Sequence, residues 1–390
     1  MRIAINQLEE YNDLATRGAK QASLALSQMI GVRMRHEATG VSLVSRETLD
    51  DVFTGQRYVG VQVGLSGGIS GETVLIFDPN DSEQLRRRLG GRSRDGSLAG
   101  GAFAELGNIV IGGFVDGWAN HLGTNVDITP PTYIEASGTR ILPQMTRRDA
   151  TDNGVFLFES HLEAVNGDLS VPIYLIPEYS EFVTLLEAQP NTLAVPAEKL
   201  AVFNGFAGRS AEQASSQISQ LTGLSTDVSV SQLRFLSFSD ISTEVGPDTY
   251  VSVVFELTGL PSGYFIAMFS EESADRVAGA MLPEGVDPND GSMTEAAIKE
   301  LGNIITSGFI DNWANALESS IEHTPPEFVR DAGTDTIQMV RRRFSDGQEY
   351  AFTIETTIEI KNKRTEVQLY VLPDTRELAR ALSSLPAQHS

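Results

Sequence analysis

The sequence contains no cysteine, which excludes disulfides, thiolate metal sites, cysteine nucleophiles and iron–sulfur clusters. Histidine is scarce. His36, His121, His161, His323 and His389 are scattered with no HExxH or other ligand spacing, so a zinc enzyme is not expected. Lysine is as rare: Lys20, Lys199, Lys299, Lys361 and Lys363 leave arginine as 24 of the 29 basic residues. No apolar run approaches the ~18 residues of a membrane span, and Met1–Arg2–Ile3 opens no secretory signal. Positive charge itself is in deficit, with 52 Asp and Glu against 29 Lys and Arg and a net charge of −23. Phosphate backbones and anionic lipids are bound by clustered cations, so neither nucleic acid nor a membrane surface is an expected partner. Few lysines among many dispersed carboxylates fit the surface of a cytoplasmic protein in a salt-loaded cell, where screening relieves self-repulsion.

What is present is a globular composition, 41% hydrophobic and 21% charged, over 390 residues. At about 150 residues per domain, that length suggests two or three domains. An internal repeat settles on two. YVGVQVGLSGGISGETVLIF at 58–77 matches YVSVVFELTGLPSGYFIAMF 192 residues later. ELGNIVIGGFVDGWANHLG at 105–123 matches ELGNIITSGFIDNWANALE at an offset of 195, and IYLIP at 173–177 matches LYVLP at an offset of 196. The drift is what small loop insertions produce. Two domains, 1–190 and 191–390, are expected, with Gln189–Thr192 as linker.

Each copy reads as an N-terminal helix (7–30), a hairpin (58–77), a short helix (81–89) announced by Asp78–Pro79–Asn80, and a long helix (97–122). A second hairpin (154–164 and 169–176) turns at Asn166–Gly167, which suggests a type I′ turn, and a helix near 179–188 closes the copy. The fold expected is α+β in two layers. A weaker repeat inside each copy, helix then strands twice over, makes each domain a pseudo-twofold duplicated β-sheet covered by long helices.

The long helix carries the informative residues. At about 100° per residue, Asn108, Gly112 and Asp116 fall within roughly 60° of Glu105, while Leu106, Val110, Ile111, Phe114, Trp118 and Leu122 form the opposite, core-facing stripe. The second copy repeats both, with Glu300, Asn303, Ser307 and Asp311 against Ile305, Phe309 and Trp313. The chain's two tryptophans therefore read as equivalent core anchors. Asn is a middling helix former, which makes its recurrence beside Glu in both copies informative.

Glu-x2-Asn followed 23 residues later by Pro occurs twice: Glu105, Asn108 and Pro131, then Glu300, Asn303 and Pro326. This resembles the ExxN…P signature of the CheC/CheX/FliY phosphatases, which act on the phosphorylated chemotaxis response regulator CheY. The resemblance covers both copies almost end to end, including ALSQMIG at 25–31, and makes the expected fold two tandem CheC-like domains. In that family a first helix can carry an equivalent site. Here Asp13 and Thr16 stand at its Glu and Asn positions in the first copy, Gly205 and Gly208 in the second, and Thr39 and Ser231 replace the Pro, so these sites look degenerate. Glu9 and Asn12 form an alternative ExxN one turn earlier, with Arg35 where Pro would stand. Gly101 and Ala296 replace the Asp or Ser usual four residues before the Glu.

The resemblance implies a mechanism that needs no metal, cofactor or nucleophile of the chain's own, since Mg²⁺ would belong to the partner regulator. Asn108 and Asn303 would orient the attacking water and Glu105 and Glu300 would pair with the partner's active-site lysine, with Asp116 and Asp311 extending the docking edge. A non-catalytic adaptor that binds the receptor deamidase CheD or the motor switch is the alternative.

Overall fold

A computed structural model of the chain describes residues 2–44, 57–89, 96–123, 125–142, 155–187, 189, 192–281, 291–344, 347–360 and 365–385. The chain divides into two compact units, Met1–Thr192 and Leu193–Ser390. The expected linker lies partly outside the described residues.

The first unit runs β1 (Arg2–Ala4), α1 (Ile5–Ile30), β2 (Met34–Val44), β3 (Arg57–Gly67), β4 (Gly71–Phe77), α2 (Pro79–Arg88) and α3 (Gly96–Leu122). It continues through β5 (Val126–Ile128), β6 (Thr132–Ser137), a 3-10 turn (Gly138–Ile141), β7 (Val155–Ala164), β8 (Ser170–Pro177) and α4 (Tyr179–Leu185). The second unit runs β9 (Ala194–Pro196), α5 (Ala197–Thr222), β10 (Thr226–Ser237), α6 (Phe238–Val245), β11 (Thr249–Gly259), β12 (Gly263–Ser270) and α7 (Glu271–Met281). There follow α8 (Gly291–Ala316), β13 (Ile321–His323), β14 (Glu327–Ala332), α9 (Gly333–Arg341), β15 (Tyr350–Ile360), β16 (Thr365–Pro373) and α10 (Thr375–Ser384).

Each unit is built on an antiparallel sheet. In the first the order is β2-β7-β8-β4-β3, with β5 and β6 both on the outer side of β3. The second has β10-β15-β16-β12-β11, with β13 and β14 on β11. The pairing registers carry the inner duplication. Asp78 and Glu178 cap α2 and α4 with their carboxylates and stand 100 residues apart. Val74 and Tyr174, at the same spacing, face each other across β4 and β8. A residue pairs with its own counterpart only on a two-fold axis. In the second unit Ile266 faces Tyr370, 192 and 196 residues further on, which is the same pair.

The long helices α1 and α3 pack on each other and on one face of the first sheet. They touch closely because Gly18 has no side chain: a Cβ there would lie 2.5 Å from the Phe114 carbonyl oxygen. Both helices α1 and α5 end on a glycine in the left-handed region, Gly31 and Gly223, each at φ 68°. Just before it, Ser27 Oγ accepts from Met34 N at 2.8 Å, and Ser219 Oγ from Thr226 N at 3.2 Å. The serine of SQMIG and SQLTG therefore ties each first helix to the strand that follows.

Two expectations need correction. The layers are not two. Every residue of β12 from Gly263 to Phe269 is buried, so the strand is apolar on both faces and both must be covered. Val253 and Phe255 face α8 at Gly302, while Val254, Ile266 and Met268 pack with Phe238 and Ile241 of α6 and Ile337 and Val340 of α9. In the first unit Ile141 and Leu142, at the 3-10 turn, take part of that role against Val74, Ile76 and Tyr174. The turn at Asn166–Gly167 is also not type I′. Gly167 N donates to Ala164 O at 2.7 Å and Gly167 has φ 74°, but Asn166 does not share the positive φ that a type I′ turn requires of both central residues. The hairpin uses a 164–167 turn with glycine in the bulge position.

At the start of α2, burial and then the neighbouring Asp78 carboxylate push the Asp81 carboxyl up to about 6 from 3.8, against a hydrogen bond from the Ser170 backbone. The folded state then holds the proton more tightly than the unfolded chain, so stability is lost as pH rises from about 4 through 6. Asp81→Asn is expected to melt higher than the parent at pH 8 and level with it near pH 4. Thermal melts at the two pH values check this, and an unchanged or lower melting temperature at pH 8 would refute it.

Candidate functional site

The ELGNI segment places its residues by simple alternation of faces on α3. Leu106 and Val110 are fully buried, and Gly107 rests on the sheet where a Cβ would come within 2.2 Å of Val61 Cγ1. Glu105 and Asn108 consequently point outward, both exposed and one helical turn apart, about 4.5 Å of axial rise. Trp118 and Trp313, the anchors beneath, are 0% exposed, Trp118 edge-on to Phe158 at 5.0 Å and Trp313 tilted against Phe203 at 4.8 Å. Ile111, Phe114, Ile305 and Phe309 are buried with them, while the side chain of Leu122 lies outside the described residues.

On α8 Glu300 is exposed and Asn303 half-buried. Both line an open cleft of 430 Å³ with Ala296, Lys299, His323, Thr324, Pro325 and Pro326. The cleft brings the three signature positions of the second copy together. In the first copy Pro131 is half-buried and follows Thr129, whose hydroxyl accepts from Gly64 N at 2.8 Å. Thr324 does the same for Glu256 N at 3.1 Å, so the Thr-Pro-Pro segments are pinned alike.

The carboxylates nearby differ in whether they are already occupied. Glu135 is held by Arg57 at 2.6 Å, by Arg86 and by the Tyr133 hydroxyl, and the hydrogen bond from Tyr133 leads in holding its carboxyl below the usual range. Glu327 is gripped by both arms of Arg343, at 2.7 and 2.9 Å, which lowers it likewise. Among the described residues Glu105, Asn108, Glu300 and Asn303 have no such side-chain partner. They are free for a partner molecule.

Asp116 and Asp311 are exposed, on the same face but three turns further on, about 16 Å along the axis from the glutamates. They can meet only the rim of whatever the Glu–Asn pair engages. Of the first-helix positions, Asp13 and Gly205 are exposed and Thr16 and Gly208 half-buried. The alternative pair at Glu9 and Asn12 is not a surface site, because Asn12 is 0% exposed in the core side of α1. Among the described residues no group of three or more His, Asp or Glu could hold a metal ion, and no helix is long and apolar enough to cross a membrane. The sequence reading passed over His323, which lines the second cleft. Its place two residues before Pro325, in the segment that repeats Thr-Pro-Pro, was the available signal.

Residues 102–135 and 293–330 match the CheC-like family, and each match spans the Glu, the Asn and the Pro of one copy. A Halobacterium salinarum protein carrying the provisional name CheY-P phosphatase CheC1 is 30% identical over 195 residues, 49% of this chain and 98% of the relative. The chain belongs to the CheC-like family. Its fold is also similar to Thermotoga maritima FliY, at 18% identity and a TM-score of 0.37 over 48% of this chain and 96% of that one. A Borrelia burgdorferi CheX, solved as a complex with CheY, BeF3 and magnesium, is 18% identical with a TM-score of 0.28 over 43% of this chain and 97% of that one.

Proposed function

We propose that this chain is a cytoplasmic chemotaxis protein that dephosphorylates phosphorylated CheY, through one Glu–Asn pair on the long helix of each domain. The observation that carries the reading is the repeated pair itself: its Glu exposed on both copies and its Asn exposed in the first and half-buried in the second, without an internal side-chain partner among the described residues, and flanked by carboxylates that do have one. Family membership and the name of the halobacterial relative support it.

The chemistry required is slight. An aspartyl phosphate needs a water placed in line with the breaking P–O bond, while its charge is neutralised by Mg²⁺ and lysine that the regulator supplies. Asn108 or Asn303 would hold that water by its amide, as a glutamine does in small GTPases. Glu105 or Glu300 would pair with the regulator's lysine and set the helix in register. The water's oxygen ends on phosphate, and the regulator's aspartate leaves as carboxylate. No metal, cofactor or covalent intermediate on this chain is part of the scheme.

Phosphate release from phosphorylated CheY, followed in molar salt, tests the reading. The chain should accelerate release at substoichiometric amounts. Glu105→Lys with Glu300→Lys should raise KM on the order of tenfold or more, since like charges would then face each other across the contact. No acceleration at any ratio of the two proteins sinks the proposal, and binding without acceleration supports the adaptor reading instead.

A further inference from the structure

The two sites share the Glu–Asn–Pro frame but not what stands behind the asparagine. In the second unit His323 bridges the helix and the Thr-Pro-Pro segment. Its Nδ1 lies 2.9 Å from the Thr324 carbonyl oxygen, its Nε2 lies 3.0 Å from Ser307 Oγ, and Ser307 Oγ is 2.8 Å from the Asn303 carbonyl oxygen. The ring stands edge-on to Phe255 at 5.2 Å and 87°. Thr324 is itself fixed to β11, donating its N–H to Glu256 O at 2.9 Å. A continuous chain of contacts thus runs from β11 through Thr324, His323 and Ser307 to the backbone of Asn303. In the first unit an offset of 195 puts Ile128 and Gly112 at the His and Ser positions. A Cβ at Gly112 would meet nothing within 4 Å, so packing does not forbid a brace there.

Counting protons shows when the brace is complete. A carbonyl oxygen only accepts, so Nδ1 carries a proton. Ser307 has one proton to give. With Nε2 bare, that proton goes either to Nε2 or to the Asn303 carbonyl, and one bond is missing. With Nε2 protonated, Nε2 donates to Ser307, Ser307 donates to Asn303, and all three bonds form together. The charged groups around the ring are Lys299 and Glu300 of α8, which line the same cleft, Glu256 of β11, which holds Thr324, and Glu322 on its own strand β13.

We propose that His323 is a positioning residue of the second site, bracing Asn303 through Ser307, and that the brace makes this site alone respond to protonation of an imidazole. The inference rests on the phosphatase reading of the Glu–Asn pairs. It predicts a second site whose rate depends on whether the His323 imidazole is protonated, beside a first site that has Ile128 in its place.

The test isolates each site within the full chain. Asn108→Ala leaves the second site and Asn303→Ala leaves the first, and the ratio of their phosphate-release rates across pH cancels the regulator's own pH dependence. The ratio should fall as pH rises. His323→Ile or Ser307→Gly, the first unit's own residues, should lower the second site's kcat about fivefold, the worth of one hydrogen bond, leave KM within about twofold, and flatten the ratio. A ratio already flat, or variants with unchanged kcat, would overturn the proposal. Imidazole ¹⁵N shifts of His323, read without any partner, keep the two hypotheses separable. If no phosphate is released by either site the phosphatase reading fails, whereas an Nδ1 without a proton would refute the brace regardless of activity.

Discussion

Asn108→Ala together with Asn303→Ala is expected to return phosphate release from phosphorylated CheY to its unassisted rate. The loss should be on the order of 10²-fold or more, because in the proposed scheme positioning is the whole of the chain's contribution and a misplaced water forfeits it. Folding cannot be blamed for the loss. Asn108 is exposed, neither asparagine side chain has a partner among the described residues, and alanine is the better helix former, by about 0.5 kcal/mol. The single variants separate the sites. Equal sites would each retain half of the acceleration, while a dominant braced site would leave Asn303→Ala nearly inactive and Asn108→Ala nearly intact at low pH. A double variant that still accelerates release would remove both asparagines from the mechanism.

What could be read in the sequence was whatever a short stretch of chain decides locally. The hairpins followed from alternation and glycine, the core stripe of α3 from its 3.6-residue period, and the exposed Glu–Asn pair from lying opposite that stripe. The misses were of another kind. Phe238, Ile241 and Val245 have helical spacing, but they follow directly on β10, and the α6–α9 layer is demanded only by the second apolar face of β12. The type I′ expectation failed on one residue's φ, which the Asn-Gly pair does not by itself determine. The alternative ExxN at Glu9 and Asn12 shares the spacing of the site pairs, and only the packing of α1 buries Asn12. His323 acquires meaning from a serine 16 residues earlier and a strand more than 60 residues away, a conjunction no local pattern encodes.

Arg234→Met is expected to destabilise the second unit by about 3–5 kcal/mol. The guanidinium on β10 is 4% exposed. It grips Glu244 of α6 with both arms at 2.7 Å and reaches Glu355 of β15 at 2.8 Å. Removing it takes away the guanidinium that both carboxylates, each about one-fifth exposed, are paired with. At about 2–4 °C per kcal/mol for a unit of this size, the melting temperature should drop on the order of 10 °C. The deficit should persist in molar salt, since ions do not screen a pair they cannot reach, whereas open pairs such as Arg57–Glu135 should matter little there. Adding Glu244→Leu and Glu355→Leu to Arg234→Met should recover most of the loss, because well-packed apolar side chains replace a buried ion triad at little net cost. The first unit has no Arg at the equivalent position: Ser42 stands where Arg234 does, 192 residues earlier. Calorimetry of the single and triple variants at low and molar salt decides the matter. A single variant that melts with the parent would mean that the carboxylates find protons or water without cost, and that the triad contributes nothing to holding α6 on the sheet.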